Sequence, residues 1–581
     1  MTADPTNSQI ADALDELGDL YELDGAVQHR VLAYRNGARA VRDCSRSVAR
    51  LAREQRATEL PGIGATLQEK ILALVQTGEI PAAAKLRERW PAGVLEVTRL
   101  PGIGAKRARL FFTELGVAGL DDLRAAAEGE RLRTLKGVGP KMEASVLEAL
   151  ERRGEASEEP ARLLAPRALE IAEEIVTALE AQLGGELDVL PAGSVRRGAE
   201  TSGDLDLIAT GPDPRAIVAA FRDLELFARV ESGGEAGARA ITHSGVAVDL
   251  RVGEPERHGN LLQHFTGSAA HNTALREQAV KEGLHVSEYG IEDESGGEPR
   301  LCAGEAEVYR RLGMSYIPPE LRENRGELEA AREGRLPALI EPDELRGDLH
   351  MHTVASDGRA TIEEMALAAR ELGHEYIAIT DHSASHGFGD DVSEDELRRQ
   401  IERVREADSA IEEITILAGS EVNILADGSP DYDDAILGEL DWVIASVHTA
   451  FQIDEAAMTA RIVAAIEHPL IDAIGHPTGR LIGRRDPYAV DREALYEAAA
   501  RTGTALEINA SPERRDLSEV DARAAAGAGV KLVINSDAHR PQTLTNLRWG
   551  IATARRAWLT AADVLNTLTL AELRAARPRG L

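Results

Sequence analysis

The spacing of apolar residues changes along the chain and predicts three kinds of structure. In the first 80 residues apolar positions recur at helical intervals, as at Ile10, Ala13, Leu14 and Leu17, which indicates short helices. After residue 166, IAEEIVTALEAQL indicates an amphipathic helix, and DVLPAGSV, DLDLIAT and VAVDLRV show the alternation of strands. The last third contains seven apolar runs separated by helical stretches: RGDLHMHT, YIAITDH, TILAGSEV, WVIASVH, DAIGHP, ALEINAS and KLVINSDAH. Seven βα units predict a parallel barrel whose site lies at the carboxyl ends of the strands.

Two polar segments with prolines indicate where these regions join. GEASEEPARLLAP covers residues 154–166, and the charged stretch RENRGELEAAREGRLPALIEPDE covers residues 322–344. A chain of 581 residues also exceeds what one hydrophobic core organises. The sequence therefore predicts a multidomain protein with helical modules, an α+β region and a C-terminal barrel, and residues 322–344 are the predicted linker before the barrel.

The charge of the chain is strongly acidic but unevenly distributed. There are 66 Lys+Arg and 99 Asp+Glu, a net charge of −33. Residues 1–153 carry 23 basic and 22 acidic residues (+1), residues 154–334 carry 18 and 34 (−16), and residues 335–581 carry 25 and 43 (−18). The total argues against a nucleic-acid partner, but the first region is electrically neutral and leaves that partner open.

The compartment is predicted from what the sequence lacks. No window approaches 18 consecutive apolar residues, so no membrane span is expected, and the acidic start MTADPTNSQIADALDELGD does not have the pattern of a signal peptide. Two cysteines, Cys44 and Cys302, do not make a disulfide framework. We expect a cytoplasmic protein, and a monomer by default.

A glycine-containing segment is repeated in the neutral region. LPGIGATLQEKILALV (60–75) and LPGIGAKRARLFFTEL (100–115) are near copies, and LKGVGPKMEASVLEAL (135–150) is a looser third copy. Such glycines let the backbone turn sharply and present amides to an anion at a helix start, although one copy alone is a common helical corner. The three copies resemble helix–hairpin–helix motifs, which grip DNA backbones without reading sequence. The glycines concerned are Gly62, Gly64, Gly102, Gly104, Gly137 and Gly139.

Acidic residues on two predicted strands indicate a metal site. Asp204 and Asp206 alternate on one strand, so both carboxylates project from one face, and Asp249 lies on a later strand with the same alternation. Adjacent carboxylates repel each other unless cations bind, and hard oxygen ligands suit Mg²⁺ or Mn²⁺. The segment Gly193-Ser194 and Arg196-Arg197-Gly198 precedes them as a turn able to bind a triphosphate.

These segments, together with HFTGSAAHNTALRE (264–277), resemble the family X DNA polymerases. The resemblance implies that Asp204, Asp206 and Asp249 bind two catalytic Mg²⁺ or Mn²⁺ ions and that the partners are dNTPs and gapped or primed DNA. It implies nucleotide and template contacts at Gly193, Ser194, Arg197, Gly203, Phe265, Gly267, Asn272 and Arg276. One departure is His264, which stands where the best-known members have tyrosine.

Lys70 follows the first hairpin and leaves two interpretations open. A lysine with a lowered pKa can form a Schiff base with an abasic sugar and promote β-elimination, whereas an ordinary lysine there would contact a phosphate or lie on a solvated face. The interpretation as an ordinary lysine is the more common of the two. Lys70 corresponds to the family's Schiff-base lysine, but Arg30 and Thr66 stand where a well-studied member has lysines.

Histidines concentrate in the C-terminal half. Nine of the fifteen follow residue 349, and six of these lie at predicted strand ends together with three carboxylates. Imidazoles mixed with carboxylates are ligands for Zn²⁺, Mn²⁺ or Fe²⁺. The nine candidate ligands are His350, His352, Asp357, His382, Glu421, His448, His476, Asp537 and His539.

Residues 340–575 resemble the PHP phosphoesterase domain. The resemblance implies three metal ions. It assigns His350, His352, Glu421 and Asp537 to one ion, and Glu421, His448 and His476 to a second. It assigns Asp357, His382 and His539 to the third.

The order of these regions is similar to that of bacterial and archaeal family X polymerases, so the leading hypothesis is a DNA repair polymerase of the nucleoid. It would fill short gaps, and its PHP domain would be a 3′-5′ exonuclease and an abasic-site endonuclease. One alternative is a PHP nuclease whose upstream domains only bind DNA, and another is a noncatalytic gap-binding module. The implied domains are 1–82 (8-kDa-like), 83–158 (fingers), 159–260 (palm), 261–321 (thumb), the linker 322–344, and 345–575 (PHP).

Overall fold

The computed structural model describes residues 4–100, 102–155, 162–184, 187–385, 387 and 391–577, without the side chains of 152–155. The chain separates into two compact units. The first contains residues 1–163, 169–191 and 203–254, and the second contains residues 164–168, 192–202 and 255–581. The predicted boundary at residues 158–159 and residues 156–161 of the predicted linker 154–166 lie outside the described residues.

The amino-terminal part of the first unit consists of helices, as the helical spacing of its apolar residues predicts. Their buried faces form one core that includes Leu14, Leu17, Ile71 and Phe111. The helices are α1 (Asn7–Leu23), α2 (Gln28–Arg42), α3 (Val48–Arg53), α4 (Ala65–Thr77), α5 (Pro81–Arg87), α6 (Ala92–Thr98), α7 (Ala105–Leu115), α8 (Leu120–Glu128) and α9 (Pro140–Glu155).

A five-stranded mixed sheet follows in the same unit. The sheet and its helix are β2 (Asp188–Pro191), β4 (Asp204–Thr210), α12 (Pro214–Arg222), β5 (Phe227–Gly233), β6 (Gly237–Thr242) and β7 (Ala247–Gly253). The strand order is β2-β4-β7-β6-β5, and β4 pairs in parallel with β7. The short strands β1 (Leu163–Leu164) and β3 (Thr201–Ser202), which pair with each other, and the helices α10 (Ala165–Leu183) and α11 (Gly193–Arg196) lie beside these elements in sequence.

The second unit begins with a small α+β region that has its own core around Leu275, Val308 and Tyr309. Its elements are α13 (His258–Thr266), α14 (Ala269–Lys281), β8 (Leu284–Ser287), β9 (Gly290–Asp293), α15 (Glu305–Arg311) and α16 (Glu327–Arg332). Helix α16 lies within the segment 322–344, where the sequence indicates a linker. Arg322 and Glu327 of that segment are fully buried in this unit, so the segment is packed structure rather than an exposed tether.

The rest of the second unit is the parallel barrel that the sequence predicts. Seven strands follow one another in chain order, and a parallel bridge between Met351 and Ala538 joins the ends of the first and last strands. The elements are β10 (Gly347–Asp348), α17 (Ile362–Glu371), β11 (Tyr376–Ile379), α18 (Glu394–Ala410), β12 (Thr415–Asn423), α19 (Asp434–Leu437), β13 (Trp442–Ser446), α20 (Glu455–Ile466), β14 (Ala473–Ile474), α21 (Arg492–Thr502), β15 (Ala505–Asn509), α22 (Glu519–Gly527), β16 (Leu532–Asn535), α23 (Leu547–Arg556) and α24 (Leu570–Ala576). Among the described helices none is long and apolar enough to cross a membrane.

Candidate active sites

The three glycine segments adopt one backbone geometry. Gly62, Gly102 and Gly137 have φ values of +85°, +80° and +84°, a region that L residues with side chains rarely occupy. Each precedes a buried aliphatic residue whose amide donates to the carbonyl three residues earlier, at 3.0 Å for Ile63 and Ile103 and 3.1 Å for Val138. The looser third copy is therefore a hairpin of the same geometry.

The outer side of these hairpins is open. A Cβ atom added at Gly64, Gly104 or Gly139 would meet no atom within 4 Å, so ligand backbone can approach the amides at the starts of α4, α7 and α9. The second and third hairpins line one cleft of about 400 Å³, to which Lys106, Arg107 and Lys136 contribute positive charge. This cleft suits phosphate groups.

Lys70 lies on α4 and is partly exposed. Within the described part of the chain its ammonium group forms no ion pair or hydrogen bond. Arg30, which stands where a family member has lysine, lies over the ring of Tyr21 at 3.8 Å from the ring centre. The surroundings of Lys70 are compatible with either interpretation of this residue.

The three aspartates lie in the first unit on two adjacent strands. Asp206 on β4 is directly opposite Asp249 on β7 in the parallel register, and Asp204 is opposite Ala247. The intervening Leu205, Leu207, Val248 and Leu250 are buried, so the carboxylates share the other face, as the alternation predicts. Arg239 donates to the Asp249 carboxylate at 2.7 Å, so a cation already balances part of this charge.

The glycine turn before these strands belongs to the second unit. The Ser194 hydroxyl donates to Ser202 at 2.8 Å, and Arg196 pairs with Glu305 at 2.9 Å through both amino groups. The Arg197 guanidinium donates to the Thr266 carbonyl at 2.6 Å and to Glu323 at 3.1 Å. A side chain at Gly267, where φ is +72°, would meet that guanidinium at 3.1 Å.

The neighbouring residues of the predicted nucleotide site differ in their exposure. Asn272 donates to the His264 carbonyl at 2.6 Å and accepts from Gln263 at 2.8 Å, so its amide is internally bonded. Phe265 is half-buried and packs edge-on against His264 with 4.8 Å between ring centres, whereas Arg276 is exposed. Gly203 lies in the first unit, where an added Cβ would be 3.3 Å from Arg162.

All nine predicted barrel ligands lie at the carboxyl ends of strands or in the loops that follow them. Of the described residues, those that bring three or more candidate ligand atoms within 4.8 Å of one another form three groups, all in this barrel. The groups are His352, Asp357, His382 and His539; His350, His352 and Asp537; and His382, Glu421 and His448.

Glu421 lies at the centre of these groups. One of its oxygens is 3.1 Å from His476 Nε2 and 3.2 Å from His448 Nε2, and the other is 2.8 Å from His382 Nδ1 and 3.5 Å from His350 Nε2. Asp357 is 3.2 Å from His539 Nε2 and 3.6 Å from His382 Nε2. Asp537 is 3.2 Å from His352 Nε2. His382 thus contacts Glu421 as well as Asp357 and connects two of these groups.

The electrostatics of this cluster suit cations. Burial alone would lower the pKa of His382, but Glu421 and Asp357 outweigh it and raise the pKa to about 10. Burial alone would raise the pKa of Glu421, yet the surrounding imidazoles hold it well below its usual range. Burial and the neighbouring His539 lower the pKa of His352 to about 4, which favours the neutral ring that binds metal.

Unsatisfied buried atoms test whether the cluster fits metal ions. The Nε2 atom of His350 and both ring nitrogens of His352 are buried and have no hydrogen-bond partner among the described residues. Leaving such nitrogens unpaired is costly, whereas three imidazole nitrogens and the Glu421 and Asp537 carboxylates are a standard donor set for divalent transition metals. The residues present fit a multinuclear metal centre.

Glu507 is a functional residue that the sequence interpretation missed. Its buried carboxylate accepts from His350 Nδ1 at 2.7 Å and from Asn535 at 2.9 Å through one oxygen, and from the His476 amide at 2.7 Å and Asn509 at 3.1 Å through the other. An acceptor at His350 Nδ1 directs the free lone pair of Nε2 toward the cluster. The available signal was a lone acid between the apolar Leu506 and Ile508 of the strand ALEIN.

Two further features of the barrel mouth are visible only in the structure. His476 and Asp537 have φ values of +27° and +53°, unusual for residues with side chains, and strain of this kind concentrates at functional sites. Arg514 places a guanidinium nitrogen 3.8 Å from Asp537. Arg359 and Arg540 line a cleft of about 300 Å³ beside Asp537 and His539, so positive charge surrounds the acidic ligands.

Comparison with protein families matches four parts of the chain. Residues 5–80 match a helix-hairpin-helix domain, and residues 94–152 match a SAM-like helix-hairpin-helix tandem. Residues 261–323 match the DNA polymerase beta thumb, and residues 348–511 match the PHP domain.

Individual relatives extend these matches. The chain is 36% identical to the DNA polymerase/3'-5' exonuclease PolX of Bacillus subtilis (strain 168), over 97% of each chain. It is 25% identical to DNA polymerase lambda of Rattus norvegicus over 55% of this chain and 56% of that protein. It is 33% identical to a protein of Thermoanaerobacter sp. (strain X514) named "Probable phosphatase", over 38% of this chain and 89% of that protein.

Proposed function

The chain belongs to the PolX family of DNA polymerase/3'-5' exonucleases, and from this premise we propose which residues carry each activity and on which substrates. The protein is a repair polymerase with a PHP exonuclease. The observation that carries this conclusion is a similarity that spans 97% of both chains and therefore includes the aspartate-bearing sheet as well as the histidine-bearing barrel. The domain boundaries given above from the sequence are part of the proposal, except that residues 322–344 pack into the second unit instead of forming an exposed linker.

For nucleotide addition we propose that Asp204, Asp206 and Asp249 hold two Mg²⁺ or Mn²⁺ ions. The shared face of the three carboxylates and the opposite placement of Asp206 and Asp249 support this role. Arg239 would release Asp249 when cations enter, because it now neutralises that carboxylate. Gly193, Ser194, Arg197 and Gly203 would bind the triphosphate of a dNTP. The remaining predicted contacts, Phe265, Gly267, Asn272 and Arg276, would position the sugar and the template.

For hydrolysis we propose that the nine barrel ligands hold up to three Zn²⁺, Mn²⁺ or Fe²⁺ ions. The bound cations would neutralise charge that develops on the phosphodiester. Glu507 keeps the His350 ring in the orientation that presents Nε2, and Arg359, Arg514 and Arg540 would attract the phosphodiester. The unpaired nitrogens of His350 and His352 support this assignment.

DNA binding follows from the hairpin and thumb domains, and its form is part of the proposal. The hairpin amides and the cleft with Lys106, Arg107 and Lys136 would hold the backbone of gapped or primed DNA. We propose that the protein acts as a monomer at the nucleoid in the cytoplasm, since each activity has its ligands within this chain. Two further activities require their own assays. These are the lyase activity of Lys70 and the incision of abasic sites by the barrel.

The test of the two assignments is a primer-extension assay on gapped DNA with Mn²⁺, with and without dNTPs. We expect Asp206→Ala to lose extension and keep degradation of the primer, and His350→Ala to lose degradation and keep extension. The pair are matched controls for each other, since each removes one ligand.

Two outcomes would contradict the proposal. Degradation that persists in His350→Ala would place the nuclease elsewhere. A wild type that degrades primers but adds no nucleotide would favour a nuclease whose upstream domains only bind DNA.

A further inference from the structure

Three arginines from loops and a helix of the barrel reach the glycine turn of residues 193–202. Arg515 donates to the Gly198 carbonyl at 3.0 Å, and Arg556 donates to the Arg197 carbonyl at 2.9 Å. Arg480 donates to the Glu200 carboxylate at 3.2 Å, and its second amino group contacts the same carboxylate. The barrel side chains and the turn are about three hundred residues apart in sequence and lie in the same unit.

These contacts are buried, which makes them costly to rearrange. Arg515 is fully buried and Arg556 is only 6% exposed. A buried guanidinium must use its donors, since an unpaired one loses the solvation of a full charge. Arg515 donates from Nη2 to the Gly198 carbonyl and from Nε to the Thr553 hydroxyl at 2.8 Å, while its Nη1 has no hydrogen-bond partner and no carboxylate oxygen accepts from it in the described structure. The turn carbonyl is therefore a principal partner of this cation.

The turn also packs closely against the barrel, and a larger residue at Gly198 would be strained. Gly198 has φ of +64°, and an added Cβ would lie 3.3 Å from the Cβ of Ala552 on α23. The backbone of the turn thus follows the surface of that helix, and Arg556 on the same helix fixes the preceding carbonyl.

The side chain of Arg197 depends on the barrel as well. One oxygen of Glu323 accepts from Arg197 Nε at 3.1 Å and from Arg556 at 3.0 Å, and the other amino group of Arg556 donates to Glu519 at 3.0 Å. Removing Arg556 would leave Glu323 free to shift with Arg197. Arg197 is the cation proposed above to contact the triphosphate.

From these contacts we propose that the PHP barrel positions the triphosphate-binding turn of the polymerase, with Arg515, Arg556 and Arg480 as positioning residues for nucleotide addition. The inference rests on the proposed function, because it takes the turn to be the triphosphate site. It adds that the barrel serves polymerisation independently of hydrolysis. The barrel loop after β15 then serves both sites, since Arg514 lies beside Asp537 while Arg515 holds Gly198.

The test is single-nucleotide gap filling by the full-length protein under pre-steady-state conditions, comparing wild type, Arg515→Met and Arg480→Met. Methionine keeps much of the apolar stem and removes the donors. We expect the apparent Kd for dNTP to rise about tenfold in Arg515→Met, as loss of a charged hydrogen bond implies, with a smaller change in the maximal rate. The half-buried Arg480 provides a second variant in case Arg515→Met fails to fold.

Arg461→Met is the matched control. Arg461 is also a buried barrel arginine that donates to backbone carbonyls, those of Leu425 and Thr449 at 2.9 Å, but it does not contact the turn. If Arg461→Met loses as much thermal stability as Arg515→Met but keeps the wild-type affinity for dNTP, the weaker dNTP binding of Arg515→Met is specific to its contact with the turn.

The outcomes separate this inference from the proposed function. If the wild type adds no nucleotide, the proposed function fails and the inference with it. If the wild type adds nucleotides and neither Arg515→Met nor Arg480→Met weakens dNTP binding more than Arg461→Met does, the inference alone is overturned. Weaker dNTP binding with unchanged exonuclease rates supports it.

Discussion

Replacing Glu507 by glutamine should weaken metal binding in the barrel without touching any of the nine ligands. The carboxylate accepts four hydrogen bonds, two at each oxygen, from His350, Asn535, the His476 amide and Asn509. Glutamine has a single acceptor oxygen, so its amino group must face two donors in either orientation. If that group faces His350, the ring can respond by accepting at Nδ1 and carrying its proton on Nε2, the nitrogen needed for metal.

The size of the expected loss in metal affinity follows from the hydrogen bonds that the substitution removes. A hydrogen bond to a charged group contributes about 1.5–3 kcal/mol, and loss of one such bond at a metal-ligand support corresponds to roughly ten- to hundredfold weaker metal binding. We therefore expect Glu507→Gln to need at least about tenfold more Mn²⁺ for half-maximal exonuclease activity, while extension of a gapped primer stays near the wild-type rate.

The assay titrates Mn²⁺ into chelator-treated protein and follows both exonuclease activity and bound metal by equilibrium dialysis. Asp472→Asn is the control, because Asp472 is another buried barrel carboxylate that accepts from Arg577 at 3.0 Å and from the Val443 amide at 2.8 Å, and it precedes β14 at the end opposite the ligands. A Glu507→Gln protein with the Mn²⁺ requirement of wild type would refute the role given to this residue.

Three further predictions concern the hairpins, the α+β region of the second unit and Lys70. Gly137→Ala should weaken binding to primed DNA about fivefold, because the added methyl group strains the hairpin and obstructs the approach of a phosphate. Gly78→Ala is the control, since Gly78 has a similar φ of +82° but lies outside the hairpins. It should cost about 1 kcal/mol of stability and leave DNA binding, measured by fluorescence anisotropy titration, unchanged. Burial alone would raise the pKa of Glu305, but Arg322 and Arg196 lower it to about 2, so its stabilising effect is present above pH 4.5 and lost as pH falls toward 2. Urea unfolding of Glu305→Gln and wild type should differ most near neutral pH, and a difference that grows on acidification would contradict this sign. Lys70→Ala should weaken DNA binding and leave unchanged the amount of protein–DNA adduct that borohydride traps on incised abasic DNA. If the wild type forms this adduct and Lys70→Ala does not, Lys70 is the Schiff-base lysine and this prediction is wrong.

Local sequence patterns are sufficient for the strands and for the ligands at their ends. H-x-H in DLHMHT and D-x-H in SDAH place side chains by alternation alone, and apolar runs of strand length mark the seven barrel strands. The third hairpin was also predictable, because its glycines keep the spacing of the first two. The residues that orient the ligands, such as Glu507, were not predictable from local patterns. The hydrogen-bond partners of Glu507 come from four different barrel segments, and only the closed barrel brings these segments together.

The same limit explains why the sequence predicts a linker at residues 322–344, where the structure has a packed segment. Charge and proline are typical of exposed linkers, yet Glu327 is bonded to His271 at 2.6 Å and Arg322 pairs with Glu305, all within a buried core. Whether a charged segment is solvated or paired depends on charges far away in sequence, which a local pattern does not contain. Buried pairs of this kind are common in the second unit.

The placement of charges also revises what the net charge of −33 implies about DNA. In the second unit Glu305, Glu323 and Glu519 are paired with arginines, and Glu421 and Asp537 belong to the candidate metal-ligand groups. The arginine pairs are already counted in the net charge, so only cations bound by the ligand groups would reduce the acid excess. The charge that DNA would meet is local: hairpin amides and three cations in one cleft, and arginines around the barrel mouth. Because few phosphates are contacted by such small positive areas, affinity should rest on a handful of ion contacts and fall with salt accordingly. An acidic protein of this kind can therefore act on DNA through local positive areas, whatever the sign of its total charge.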